Sequence, residues 1–224
     1  MNEHDIRTLS ENNDFQKEKI VIKENHEPLI KVEETARFRW GYKEEKIDDS
    51  SYYVRRSVAH KLHTISESLP PGINLVLVEG YRSIVAQQKL WDQEFEKLKN
   101  KNPSWANEEI EKQVRVVVAR PHPLANHHCG GAVDVMLVYT NGSLVDMGGS
   151  YVTHALEGDR KKFPMLSKYI TVEQAANRKI LRDVMTTADF AWYTAEWWHY
   201  CWGDRMWAVY TNQIECFYGS IEFN

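Results

Sequence analysis

The spacing of apolar residues predicts a helix followed directly by a buried strand in the first half of the chain. Between residues 54 and 69, apolar positions recur at the spacing of one helix face, at Val54, Val58, Leu62, Ile65 and Leu69. Pro70-Pro71-Gly72 ends this pattern, because proline cannot continue a helix. The run Ile73–Val78 is short, apolar and rich in β-formers, so we expect a buried strand.

Capping signals predict the remaining helices. Ser83 is typical of an N-cap and predicts a helix over residues 83–99. Another helix is expected from near Ser104, although RVVVA at 115–119 fits a strand equally well. Thr171 and Gln174 form a capping-box pattern. An amphipathic stripe follows it, at Val172, Ala176, Ile180, Leu181, Val184, Met185 and Ala188.

Strand patterns dominate elsewhere and set the fold class. Ala132–Tyr139 predicts a strand, the Asn-Gly turn at 140–143 predicts a hairpin, and Leu144–Met147 would form the returning strand. The segment FAWYTAEWWHYCW at 190–202 is too aromatic for a surface helix and indicates a strand or an extended turn. This order predicts an α+β fold with helices packed around a mostly antiparallel sheet.

The composition is that of one globular domain. Residues 1–30 are polar and mixed in charge, which indicates an N-terminal arm joining the fold near Ile30, and residues 31–224 show no linker that would divide them. The net charge of −4 argues against nucleic acid as the main partner. No stretch approaches the ~18 apolar residues that a membrane span needs. The first thirty residues lack an apolar signal segment, and three widely spaced cysteines favour a reducing cytoplasm.

The stretch ANHHCGGAVD at 125–134 contains the first candidate site. Neighbouring side chains of an extended segment point to opposite faces, so His127 and His128 cannot share a small site without a kink. Gly130-Gly131 supplies freedom for a sharp bend that would bring Asp134 beside His127. Imidazole and carboxylate are both zinc ligands. A structural or incidental histidine in a polar loop is the alternative at this point.

Two further elements carry candidate chemistry. Glu196 and His199 are three residues apart and would share a face at a bend, as a metal-ligating histidine and a neighbouring general base require. The alternative is a Glu–His hydrogen bond at the edge of an aromatic core. Arg82 follows the strand at 73–78 and could stabilise an oxyanion or bind a substrate carboxylate, the alternative being a surface pair with Glu79.

In order and spacing, these motifs together resemble the zinc D-alanyl-D-alanine dipeptidases of the vancomycin-resistance type, in the D-Ala-D-Ala carboxypeptidase/dipeptidase superfamily. The family signatures are S-x-H-x-x-G-x-A-x-D and E-x-x-H. They are matched at His127, Gly130, Ala132, Asp134, Glu196 and His199. The dipeptidase form E-W-W-H is present letter for letter, and Gly80-Tyr81-Arg82 matches the G-Y-R motif. The resemblance extends from about Asn25 to about Tyr200.

The resemblance implies a mechanism and a site. One zinc ion per chain would be held by His127, Asp134 and His199 in a central cleft, with water in the fourth position. Glu196 would take a proton from that water and pass it to the leaving amine, and Arg82 would stabilise the oxyanion. His128 should point away from the site, whereas Cys129 could lie on the same side as His127. Substrate contacts are expected at Tyr81, Ala125, Thr153 and Trp198.

Two departures from the family pattern concern the substrate. Ala125 stands where the signature has serine, and Val152 and Thr153 stand where the family has F-D, whose aspartate binds the free amino terminus. Asp146 or Glu157 could replace that carboxylate. The expected reaction is hydrolysis of a small dipeptide such as D-Ala-D-Ala. The alternatives are a zinc carboxypeptidase or amidase acting on larger cell-wall peptides, and a non-catalytic zinc-binding module, against which the presence of Glu196 argues.

Overall fold

Two long apolar strands form the centre of the fold. The computed structural model describes residues 16–41, 49–115, 118–122, 125–149 and 160–223. Its strands are β1 (Val21–Ile22), β2 (Leu29–Lys31), β3 (Phe38–Trp40), β4 (Tyr53–Arg55), β5 (Ile73–Glu79), β6 (Ala132–Tyr139), β7 (Ala191–Trp192), β8 (His199–Cys201) and β9 (Glu215–Cys216). Its helices are α1 (Arg56–Ser68), α2 (Ile84–Lys101), α3 (Asn107–Val114), α4 (Val172–Thr187) and α5 (Arg205–Tyr210).

The main sheet has five strands in the order β3-β5-β6-β8-β7. Only the β3–β5 pair is parallel among them, so the sheet is mostly antiparallel. β5 and β6 are buried along almost their whole length, and α1 packs against β5 and α4. The expected α+β class is confirmed, and both central strands lie where the apolar runs predicted them.

Local capping explains where the helices begin. The Ser83 hydroxyl accepts a hydrogen bond from the Ala86 amide, and Thr171 and Gln174 form a complete capping box at the start of α4. Both predictions are confirmed. No described helix is both long and apolar enough to traverse a bilayer.

Two expectations from the pattern were wrong in detail, and one alternative was left open. For 115–119 a strand was the alternative to a helix: α3 runs to Val114, Arg115 lies in a turn, and the described part of this stretch contains no strand. The return after the Asn-Gly turn is reduced to a single bridge between Val138 and Leu144. Val172 is 89% exposed, because α4 instead buries Arg178, Leu181 and Met185. Arg178 can be buried since its guanidinium donates to the carbonyls of residues 147, 162 and 164.

The N-terminal segment joins the fold earlier than expected. β1 pairs with β9, β2 pairs with β4, and the buried Lys17 side chain contacts Asn126. Residues 16–30 are therefore packed against the rest of the chain, whereas a loose arm was expected up to Ile30. Hydrogen bonding to other segments holds this stretch, which its polar composition did not reveal. The first fifteen residues lie outside the described part, and the division of the chain at residue 30 stays a prediction.

Candidate metal centre

Strand register brings three ionisable side chains into one row across the sheet. Glu79 of β5 lies opposite Asp134 of β6, and Asp134 lies opposite His199 of β8. Directly opposed residues in antiparallel strands project their side chains from the same face. All three are at most 5% exposed. Residues far apart in sequence thus form a polar row inside the protein.

A short 3₁₀ helix, Asn126–Cys129, adds His127 to this row. It ends at Gly130, whose φ of +73° turns the chain sharply into β6. The Gly80 carbonyl lies 2.7 Å from His127 Nδ1, which leaves Nε2 of the ring 3.5 Å from Asp134 Oδ1. The expected bend at Gly130 that brings His127 back to Asp134 is therefore present in the structure.

The donor atoms of His127, Asp134 and His199 converge on one point. They lie within 4.8 Å of one another, with His199 Nδ1 2.9 Å from Asp134 Oδ1. Ligand atoms about 2.0–2.1 Å from a tetrahedral zinc ion are themselves roughly 3.3 Å apart, so the spacing fits. Burial alone raises the pKa of Asp134, but its interactions with His127 and His199 outweigh this and hold it well below its usual range. The site thus offers an ionised carboxylate and two imidazoles to a cation.

Glu196 lies in the turn between β7 and β8, beside the ligand group. The amide of His199 donates to its carbonyl at 3.3 Å, which closes the turn. Its side chain is half-buried and interacts electrostatically with His199, Asp134 and Arg82. Burial raises the pKa of the Glu196 carboxyl to about 7, against the opposing effect of His199 and Arg82. A carboxyl poised near neutrality can both accept and return a proton.

Arg82 is held by two side chains at the edge of the site. Its Nε lies 2.8 Å from Glu79 Oε1, its Nη2 binds the other Glu79 oxygen, and its Nη1 donates to Gln87 Oε1 at 2.8 Å. The pairing with Glu79 considered from the sequence is therefore real, but it is buried and not on the surface. Because Glu79 belongs to the polar row, this pairing places the guanidinium beside the candidate metal ligands.

Sequence reasoning missed Gln87. This buried residue in the first turn of α2 accepts from Arg82 and donates to the Ala119 carbonyl at 2.7 Å. The sequence offered one indication of this role: Gln87 lies one helical turn after the N-cap Ser83, a position from which its side chain reaches back towards Arg82.

The two residues after His127 point elsewhere. His128 contacts the Tyr81 hydroxyl through Nδ1 at 3.4 Å and Glu222 through Nε2 at 3.5 Å, so the expectation that it points away is met. The Cys129 thiol donates to the Asn126 carbonyl and accepts from the Gly131 amide. Burial raises the pKa of this thiol well above its usual range. Cys129 is not part of the ligand group.

The residues expected to contact substrate differ in their exposure. Tyr81 is fully buried with its hydroxyl donating to the Ile221 carbonyl, and Trp198 is 4% exposed with its ring edge-on to Phe163. Both side chains point into the protein. Ala125 is half-buried directly before the 3₁₀ helix, whereas Thr153 lies outside the described residues.

Of the two carboxylates suggested as replacements, Asp146 alone lies in the described part of the chain. Asp146 is engaged by the Gly148 amide and the Gln174 side chain at the start of α4. Val152 and Glu157 lie outside the described part of the chain.

The fold and site define a class of protein. Three convergent protein ligands with a nearby non-ligating carboxylate are the arrangement of catalytic zinc in hydrolases, whereas structural zinc has four protein ligands.

Comparison with known proteins gives the family. A model of the Peptidase_M15 family, described as D-ala-D-ala dipeptidase, matches residues 48–220. The D-alanyl-D-alanine dipeptidase of Synechocystis sp. is 28% identical over 207 residues, which cover 77% of this chain and 81% of that protein. Its counterpart in Streptomyces coelicolor is 33% identical over 138 residues, covering 58% and 62%. The structure of the LdcB LD-carboxypeptidase covers 85% of this chain and 77% of its own, with 18% identity and a TM-score of 0.49.

The chain belongs to the Peptidase_M15 family and is a zinc-dependent metallopeptidase. The expectations of family, enzyme class and metal are confirmed.

Proposed function

We propose that this chain hydrolyses the peptide bond of D-Ala-D-Ala, with zinc held by His127 Nε2, Asp134 Oδ1 and His199 Nδ1. The observation that carries the proposal is the convergence of these three buried donor atoms beside Glu196. When bound, zinc supplies Lewis acidity and an open coordination position for the attacking water. The relatives that match this chain are D-alanyl-D-alanine dipeptidases, which supports the choice of dipeptide.

In the proposed reaction, Glu196 transfers the proton and Arg82 stabilises negative charge. Glu196 takes the proton that the attacking water loses and delivers it to the amine of the departing D-Ala. Its raised pKa suits both transfers, because a carboxyl titrating near the working pH exchanges protons readily. Arg82, fixed by Glu79 and Gln87, offers its remaining N–H groups to negative charge that develops on the carbonyl oxygen or is present on the substrate carboxylate.

A second candidate is a carboxypeptidase or amidase of the same class that acts on larger cell-wall peptides. One sequence departure favours it: Thr153 stands where the dipeptidases have the aspartate that would bind a free amino terminus. A substrate with a blocked or extended amino end does not need that aspartate. The metal and its base would act identically on both substrates.

The location in the cytoplasm is part of this proposal. All three cysteines are free and buried, which fits a reducing compartment.

The deciding experiment compares the zinc-loaded wild type with Glu196→Ala on two substrates, D-Ala-D-Ala and a peptidoglycan stem pentapeptide. We expect the wild type to release D-alanine from the dipeptide. Glu196→Ala should retain one zinc per chain but lose about 10²–10⁴-fold in kcat, the range of general acid–base catalysis. L-Ala-L-Ala is the stereochemical control. Turnover of the pentapeptide alone would favour the second candidate, and no turnover of either would refute both.

A further inference from the structure

Asn126 contacts the candidate metal ligand His199 on the side of the ring away from Asp134. Its amide nitrogen is 3.4 Å from His199 Nε2, whereas Nδ1 of the same ring is 2.9 Å from Asp134 Oδ1. His199 is only 5% exposed. Each nitrogen of this ring therefore has a polar side chain beside it.

The tautomers of imidazole make the contact at Nε2 important for metal binding through Nδ1. A neutral imidazole carries one proton, on either Nδ1 or Nε2. A ring that gives Nδ1 to a metal carries its proton on Nε2, and the group accepting that proton fixes both the tautomer and the ring direction. A carboxamide can serve here, because a half-turn about its last bond exchanges an N–H donor for a carbonyl acceptor.

The backbone of Asn126 is anchored, and its side-chain amide has space to turn. The carbonyl of its backbone accepts the Cys129 thiol at 2.9 Å, which anchors the start of the 3₁₀ helix. Lys17 Nζ, only 6% exposed, approaches Asn126 Oδ1 at 3.5 Å from the N-terminal segment. A cavity of about 20 Å³, lined in part by Asn126 and Asp204, adjoins the amide. Asp204 Oδ2 is buried there without a hydrogen-bond partner, and the Asp204 carboxyl interacts electrostatically with Lys17.

We propose that Asn126 is a positioning residue for the zinc ligand His199. After a half-turn, which moves Oδ1 away from Lys17 and towards the imidazole, its side-chain amide accepts the Nε2 proton of His199 when Nδ1 binds the metal. This inference rests on the proposed role of His199 as a zinc ligand. It assigns a function in the site to a residue outside the group of candidate metal ligands.

The first test measures zinc affinity, which does not depend on any peptidase activity. Apparent dissociation constants are obtained by chelator competition for the wild type, Asn126→Ala and Asn126→Asp. We expect Asn126→Ala to weaken zinc binding roughly 10- to 100-fold, the usual cost of removing a residue that orients a ligand. Asn126→Asp keeps an acceptor and should bind zinc far better than the alanine variant. Asn107→Ala removes an exposed amide at the start of α3 and should bind zinc like the wild type.

The second test needs no substitution. In the ¹⁵N-labelled wild type loaded with zinc, histidine NMR should show Nδ1 of His199 bound to metal and Nε2 protonated, with a slowly exchanging proton. A metal bound through Nε2 would overturn the inference, as would an Asn126→Ala variant with unchanged zinc affinity. Because both readouts concern binding, a wild type that cleaves no peptide would refute the proposed function and leave this result standing.

Discussion

At the scale of single residues, the site contains two carboxyl groups whose surroundings shift their pKa values in opposite directions. Asp134 lies between two imidazoles, whose interactions outweigh burial and keep it ionised. At Glu196, burial outweighs the interactions with His199 and Arg82 and raises the pKa of the carboxyl to about 7. Such a separation assigns roles: the group that stays ionised suits a metal ligand, and the group that titrates near neutrality suits a general base.

The pH dependence of catalysis should follow Glu196. A base must be ionised to accept a proton, so kcat/KM is expected to fall as the pH drops through the pKa of this carboxyl. A bound dication favours the ionised form and lowers that pKa, so the midpoint should lie at or below pH 7. A pH–rate profile of the zinc enzyme measures it, and carboxyl NMR of the metal-free protein gives the unshifted value. A rate that is constant from pH 5 to pH 8 would contradict the assignment.

At the scale of secondary structure, the turn before β6 determines whether the ligands meet. Gly130 combines a φ of +73° with close contacts: a Cβ added there would lie 2.3 Å from Leu29 Cδ2. Gly142, in the hairpin turn after β6, has a similar φ of +86° but nothing within 4 Å of an added Cβ. Alanine substitutions at these two glycines therefore separate the free-energy cost of the left-handed backbone from the cost of a clash in the metal loop, which we define as residues 126–130.

We predict different outcomes for alanine at these two glycines. Gly142→Ala should cost about 1 kcal/mol of unfolding free energy, from the left-handed backbone alone, and leave zinc affinity unchanged. Gly130→Ala adds a clash with the Leu29 side chain, so it should cost about 1–3 kcal/mol more by the usual penalty of overpacking, and weaken zinc binding as well. Urea unfolding and chelator competition measure both. Equal losses in the two variants would show that the clash is relieved without moving His127.

Local signals predicted most elements, and long-range contacts account for what was missed. Ser83, the capping box at Thr171 and the apolar runs of β5 and β6 act over a few residues, so their pattern was sufficient. α4 buries Arg178, whose guanidinium donates to three carbonyls in other segments, and leaves Val172 exposed, and no periodicity encodes such contacts. The motifs likewise suggested His127, Asp134 and His199, but the supporting contacts of Gln87 and Asn126 required the fold.

At the scale of the whole molecule, Arg55 joins the metal loop to both ends of the described chain. This residue at the end of β4 is 1% exposed. Its guanidinium donates to the Cys129 carbonyl at 2.7 Å, to both carboxylate oxygens of Glu24, and to the Gly219 carbonyl at 3.0 Å. One planar group thus fixes the N-terminal segment, the loop carrying His127 and the C-terminal segment relative to one another.

Replacing Arg55 should therefore destabilise the protein and loosen its metal site together. Arg55→Met removes the guanidinium from the Glu24 carboxylate and from the three carbonyls it binds, so we expect a loss of about 3–5 kcal/mol in unfolding free energy. Arg55→Lys retains the charge but lacks the planar guanidinium, so its unfolding free energy should lie between those of Arg55→Met and the wild type. Arg120→Met breaks an exposed pair with Glu111 and should cost no more than about 1 kcal/mol. Denaturant unfolding with and without zinc measures these differences. Because the guanidinium holds the Cys129 carbonyl, zinc should increase the unfolding free energy of Arg55→Met less than that of the wild type. An equal increase would show that the loop carrying His127 is ordered independently of this contact.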